Sequence, residues 1–149
     1  MALCAVYSSE QRRQLMSENP SIISHVSIGT NNFERAIAFY DKVMGTLGCK
    51  RVMEHPGAIA YGKQYPEFWV NIPYDDQAAS VGNGTHIGFI APTKEAVHEF
   101  YEVATNAGAT GDGEPGGRED YGKPYYGCFV RDLDGNKIEA AFWDEQIDA

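Results

Sequence analysis

His25 and His86 occupy the same place in two copies of one short pattern. Ser24-His25-Val26 followed by Phe39-Tyr40-Asp41 returns as Thr85-His86-Ile87 followed by Phe100-Tyr101-Glu102. A single offset relates both matches, 86 − 25 = 61 and 100 − 39 = 61, and Glu34 and Glu95 keep it. An ungapped repeat of this kind marks a duplicated structural unit. Two related units that bring their first strands together would point both imidazoles at one axis, with Glu139 of the last strand beside them. Two imidazoles and a carboxylate suit a borderline divalent metal such as Zn²⁺, Ni²⁺, Fe²⁺ or Mn²⁺, with positions left for water and substrate. A lone histidine on a strand is more often a surface or satisfied core residue, so the duplication is what singles these two out. His55, in a Pro-Gly turn, and His98, on a helix among Glu95, Glu99 and Glu102, read as solvated.

The elements that must carry these residues follow from periodicity and punctuation. Ile22 to Ile28 is rich in β-branched residues and ends at Gly29, which suits a strand. Asn31 or Asn32 then caps a helix whose apolar positions Phe33, Ile37, Tyr40, Val43 and Met44 recur at helical spacing, with Gly48 closing it. Three strands are expected at 50–54, 58–62 and 67–72. The loop composition of Pro73 to Gly84 links this unit to the second. There, His86 to Ile90 reads as a strand, Thr93 caps a helix that Gly108 ends, and the Gly-rich stretch Gly111 to Gly122 reads as a mobile loop or weak strand. Tyr125 to Arg131 and Lys137 to Trp143 complete the unit around an Asp134-Gly135 turn. The expected class is α+β, built from two βαβββ modules at about 21–73 and 84–149 with a linker at 74–83, forming a single domain after a polar tail at 1–20. Met16-Ser-Glu-Asn-Pro reads like a natural start, which would make residues 1–15 an upstream extension.

Composition narrows the function classes. A chain of 149 residues with 43% apolar and 12% aromatic side chains can bury one sizeable core. The 12 basic against 21 acidic side chains give a net charge of −9, which repels phosphate backbones and anionic lipid headgroups and argues against nucleic-acid or membrane partners. Cys4, Cys49 and Cys128 are odd in number and form no CxxC pair, so neither a disulfide framework nor a thiolate zinc site is expected. No apolar run is long enough to span a bilayer, and Met1 to Tyr7 lacks a basic flank, which together favour a cytoplasmic protein.

Residues from about Ile22 to Trp143 resemble the vicinal oxygen chelate superfamily, which includes lactoylglutathione lyase (glyoxalase I), bleomycin-resistance proteins, fosfomycin-inactivating thiol transferases and extradiol dioxygenases. Ser24-His25-Val26 with Ala36 to Tyr40, Gly84-Thr85-His86-Ile87, and Arg131-Asp132-Leu133-Asp134-Gly135-Asn136-Lys137-Ile138-Glu139 carry the resemblance, the last most specifically. The resemblance implies paired βαβββ modules forming an incomplete curved barrel around one metal held by His25, His86 and Glu139. It also implies a homodimer, with modules pairing within or between chains, and a small oxygenated substrate whose oxyanion the metal stabilises. The reaction would be a lyase or isomerase step, dioxygenation, or transfer of a thiol cosubstrate such as glutathione. Lactoylglutathione lyases place a fourth ligand on the closing strand of the first module, but here that strand reads Glu67-Phe68-Trp69-Val70-Asn71-Ile72, with only Glu67 or Asn71 to substitute. Trp69, Asn71, Arg118 or Lys123, Tyr125 and Tyr126 are the expected substrate contacts. A protein of the bleomycin-resistance type, binding a drug or metabolite in a cleft without chemistry, is the alternative.

Overall fold

The computed structural model describes residues 21–144; the expected tail and start at Met16 lie outside the described residues. The first module runs β1 (Val26–Gly29), α1 (Phe33–Gly45), β2 (Lys50–His55), β3 (Ala58–Gly62) and β4 (Phe68–Asn71). The second runs β5 (His86–Ile90), α2 (Lys94–Asn106), β6 (Thr110–Gly116), a 3₁₀ turn at Glu119–Tyr121, β7 (Tyr125–Arg131) and β8 (Lys137–Trp143). Each module folds into a four-stranded sheet, in the orders β1-β4-β3-β2 and β5-β8-β7-β6, with one parallel pair, β1/β4 or β5/β8, in each. The class is α+β, and the sheets do not close into a barrel.

The helices form where expected. Asn32 caps α1 by accepting the Arg35 amide at 3.2 Å, and Thr93 caps α2 by accepting the Ala96 amide at 3.1 Å. Gly48 and Gly108 follow the helices at φ 72° and 106°, backbone that a side chain would strain. The first strand begins later than the Ile22 to Ile28 reading. In the parallel register Val26 stands opposite Phe68, so an extension back to Ser24 would need Pro66, which has no N–H to offer. His25 therefore lies just before β1 rather than on it. The Gly-rich stretch departs in the other direction, because Thr110–Gly116 pairs with β7 as an irregular edge strand with two register shifts.

One apolar core serves both modules. Val43 and Leu47 from the first and Val97, Phe100 and Ala104 from the second are buried together with Val70, Val130, Ile138 and Ala140. Phe68 meets Phe89 edge-on with ring centroids 4.9 Å apart. The helix-bearing faces of the two sheets thus pack into a common interior. Strand alternation leaves the other face of each sheet outside it.

A polar clamp fixes the modules to each other. Asp132 is buried and accepts the Tyr40 hydroxyl at 2.6 Å, while its second oxygen accepts the amides of Asp134 and Asn136 at 3.0 and 2.8 Å. Asp134 accepts the Thr30 hydroxyl at 2.6 Å and the Asn31 amide at 2.9 Å, which docks the β7–β8 turn onto the β1–α1 turn. Burial, reinforced by the Asp132 charge, holds the Tyr40 hydroxyl protonated far above its usual range.

Tyr40→Phe withdraws a donor from a buried carboxylate and should lower stability by about 1–3 kcal/mol in urea unfolding. Tyr101→Phe, at the duplicated position, should cost less than about 0.5 kcal/mol. Burial raises the Cys128 thiol to about 11, and it donates to the Val97 carbonyl at 3.5 Å. Peptide mapping after iodoacetamide at neutral pH should find Cys128 unmodified in native protein and alkylated in urea.

Candidate functional site

Glu139 is the charged residue around which the outer face of the second sheet is organised. It sits at the centre of β8, with Ile138 and Ala140 pointing into the core on either side. Its own side chain takes the opposite face, yet it is only 7% exposed, so its charge needs partners. Oε1 accepts the Tyr125 hydroxyl at 2.6 Å, and Oε2 lies 3.2 Å from His86 Nε2. Two glycines make room for this arrangement. A Cβ on Gly88, directly across the parallel ladder, would lie 3.2 Å from Oε2 of Glu139. One on Gly127 would collide with the Tyr125 hydroxyl and press on the Ala140 carbonyl.

Tyr125 is held edge-on between Tyr121 and Trp143, at centroid distances of 4.9 and 5.3 Å. Burial and the bond to Glu139 raise its pKa, so the hydroxyl remains a donor. Tyr126, its neighbour in sequence, points the other way and meets His98 Nε2 at 2.7 Å against α2. The two tyrosines cannot line one wall, because strand neighbours alternate faces. His98, read as simply solvated, is exposed but engaged.

Phe129 occupies the middle of this face, opposite Glu139 on the β7/β8 ladder, with its ring edge-on to His86 at 6.2 Å. Lys137 Nζ lies 4.7 Å and the Arg118 guanidinium 5.8 Å from its centroid. Beyond His86 opens a cavity of about 490 Å³ lined by Val81 to His86, Arg131 and Lys137. Phe129, Lys137, Gly88 and Gly127 are participants that the sequence reading missed. The period-two pattern around Glu139 was the available signal, since Lys137 shares its face and Phe129 is its mirror across the turn.

The first sheet presents a different surface. The duplication places Ser27 where Gly88 stands, and β4 pairs Trp69 with Ser27 as β8 pairs Glu139 with Gly88. Trp69, rather than Glu67 or Asn71, therefore occupies the position equivalent to Glu139. Its indole donates to the Pro66 carbonyl at 3.1 Å, and its ring lies parallel to His55 with centroids 6.1 Å apart. Asn71 Nδ2 donates to the Ile72 carbonyl at 3.1 Å, and Glu67 is exposed at the strand's edge. His25 is exposed, with Nδ1 3.1 Å from the Ser24 hydroxyl. Among the described residues of one chain, no three His, Cys, Asp or Glu side chains gather as a metal-ligating group, so His25 does not meet the His86–Glu139 pair intramolecularly.

Residues 22–140 match the family model of the Glyoxalase/Bleomycin resistance protein/Dioxygenase superfamily, and the chain belongs to that superfamily. A glyoxalase/bleomycin resistance protein from Albidiferax ferrireducens is similar in structure at 34% identity, with a TM-score of 0.74 over 81% of this chain and 98% of that one. A glyoxalase/bleomycin resistance protein/dioxygenase family enzyme from Burkholderia phytofirmans shares the fold at 22% identity, with a TM-score of 0.63 over 81% and 98% of the two chains. A glyoxalase I variant from Zea mays does so at 18% identity and a TM-score of 0.61, over 80% of this chain and 44% of that one. No curated protein matches the chain. No helix among the described residues is long and apolar enough to cross a membrane.

Gly127→Ala should destabilise the fold by about 1–3 kcal/mol, the range for overpacking a filled site. Pairing it with Tyr125→Phe should recover part of that loss in thermal unfolding, because the colliding hydroxyl is then gone.

Proposed function

We propose that this protein is a divalent-metal-dependent glyoxalase-like enzyme acting on a small oxygenated molecule, with His86 and Glu139 as two of its ligands. The observation that carries the reading is the buried Glu139 carboxylate, whose Oε2 faces the His86 imidazole nitrogen at 3.2 Å while Oε1 is held by Tyr125. An imidazole and an anchored carboxylate are the chemistry that Zn²⁺, Ni²⁺, Fe²⁺ or Mn²⁺ accepts, so the residues present fit part of such a site. A bound metal would supply electrophilic polarisation of substrate oxygens. Tyr125 orients the carboxylate, and Gly88 keeps the space beside Oε2 open.

The third ligand in this reading is His25 from a second copy of the chain. Back-to-back packing of the helix faces turns the outer face of each sheet away from its partner module, and β1 and β5 are terminal strands. A homodimer in which the first module of one copy meets the second module of the other would assemble the set. With Trp69 at the position matching Glu139, the donor set is three residues. That favours the thiol-transfer and dioxygenase branches over the lyase branch. A second reading, a binding protein of the bleomycin-resistance type, is favoured by the fact that one chain gathers only two of the three donors.

Metal analysis of untagged protein beside His86→Ala tests the proposal: about one transition metal per chain, lost in the variant, is expected. No metal and no uptake of added Zn²⁺, Ni²⁺, Mn²⁺ or Fe²⁺ would sink it in favour of the binding protein. Tyr125→Phe should weaken metal affinity by about 10–100-fold with the fold intact, as loss of a carboxylate's orienting partner does. Sharing of the site between copies has its own test. Neither His25→Ala nor Glu139→Gln alone should hold metal, yet subunit exchange between them should restore about a quarter of the sites, because half the dimers are mixed and each carries one intact set. No recovery would overturn a site shared between two copies.

A further inference from the structure

The seat of Arg118 is built rather than incidental. It lies in the turn after β6, and its guanidinium stands over Phe129. Nη2 donates to the Glu114 carbonyl at 2.8 Å and Nη1 to the Gly117 carbonyl at 3.0 Å. The Gly-rich sequence makes the space: a Cβ on Gly113 would lie 3.1 Å from Nη2, and one on Gly116 3.3 Å from Nη1. Gly113 also takes φ 156°, a value side chains rarely adopt. Two of the five guanidinium N–H groups are thereby used on neutral carbonyls, which orient the fork without neutralising it.

The two neighbouring cations are already paired. Arg131 Nε and Lys137 Nζ share Asp112 Oδ2 at 3.0 and 3.3 Å, and those two cations hold the Asp112 carboxyl below its usual range, Lys137 most. Arg131 and Lys137 are thus tied to Asp112, whereas among the described residues no carboxylate forms an ion pair with Arg118, in a chain whose net charge is −9. An acidic protein that concentrates an unneutralised cation on one sheet face has a local attraction opposed to its overall field. Phe129 spans the distance between this cation and the His86–Glu139 pair.

We propose that this face selects a substrate bearing a carboxylate, which Arg118 takes in its fork with Lys137 assisting, while the substrate's vicinal oxygens reach His86 and Glu139. A guanidinium without a carboxylate partner fits a substrate carboxylate, because planar guanidinium groups bind such anions with two parallel hydrogen bonds. The inference rests on the preceding reading only for where the oxygens go. Arg118 acts as a specificity determinant.

A matched pair of probes tests it. Catechol and 3,4-dihydroxybenzoate carry the same vicinal oxygens and differ by one carboxylate. Their dissociation constants are measured by NMR titration of the full chain, once after chelator treatment and once with added Zn²⁺, which is redox-inert. The carboxylate should tighten binding by about tenfold in both conditions, the size expected of one partly exposed charge-assisted pair. Arg118→Gln should reduce that preference below about twofold, and Lys137→Met should reduce it in part, with the amide spectrum unchanged elsewhere. Equal affinities in the wild type, or a preference that survives Arg118→Gln, would overturn the proposal. Failure of Zn²⁺ uptake would instead count against the metal reading, because the preference is also read in chelated protein.

Discussion

The structure depends on how one buried carboxylate finds its hydrogen-bond partners. Asp132, buried in the turn between β7 and β8, takes the Tyr40 hydroxyl from the first module's helix and the amides of its own turn. Asp134, two residues on, accepts the Thr30 hydroxyl and the Asn31 amide at the start of that same module. A buried charge without partners is expensive, so the turn is satisfied only when the first module is docked against it. The contact fixes both the separation and the facing of the two units, and the aromatic contact between Phe68 and Phe89 fills the interior it defines.

That choice of facing determines what a single chain can offer a ligand. Both helix-bearing faces are spent on the common core. The residues with reactive side chains, His86, Glu139 and Tyr125 on one sheet and Trp69 and His55 on the other, are left on surfaces that do not meet within the chain. The second sheet carries a buried carboxylate, an adjacent imidazole and a cation-bearing rim. The first carries an indole where the second has the carboxylate, so the duplication has been kept in backbone and abandoned in chemistry. Belonging to the Glyoxalase/Bleomycin resistance protein/Dioxygenase superfamily accounts for the backbone, and the side chains on these faces account for whatever this member does with it.

Much of the architecture was legible because local signals agreed with one another. The caps at Asn32 and Thr93, the turn at Asp134-Gly135 and the alternation through β7 and β8 each point to the observed element. The failures have particular causes. The segment before Val26 looks like strand but stands opposite Pro66 and finds no ladder partner. The stretch from Thr110 looks like loop because four of its residues through Gly117 are glycines, which serve a bulged edge strand and leave room for the Arg118 guanidinium. Tyr125 and Tyr126 are both expected substrate contacts from their aromatic character, although alternation within a strand separates them. The Asp132 turn was noticed as a signature, but nothing in its own residues says that it grips the neighbouring module.

The sequence by itself determined the duplication, the βαβββ order of each unit, the helix and turn boundaries, and the candidacy of His25, His86 and Glu139, because these depend on repeat offset, short-range hydrogen bonding and side-chain periodicity. Only the tertiary structure decided that His86 and Glu139 meet while His25 stands elsewhere, that Trp69 matches Glu139, and that Arg118 is aimed across Phe129. Those relations are set by strand register and by the docking of one module on the other, which are long-range choices that no local pattern encodes.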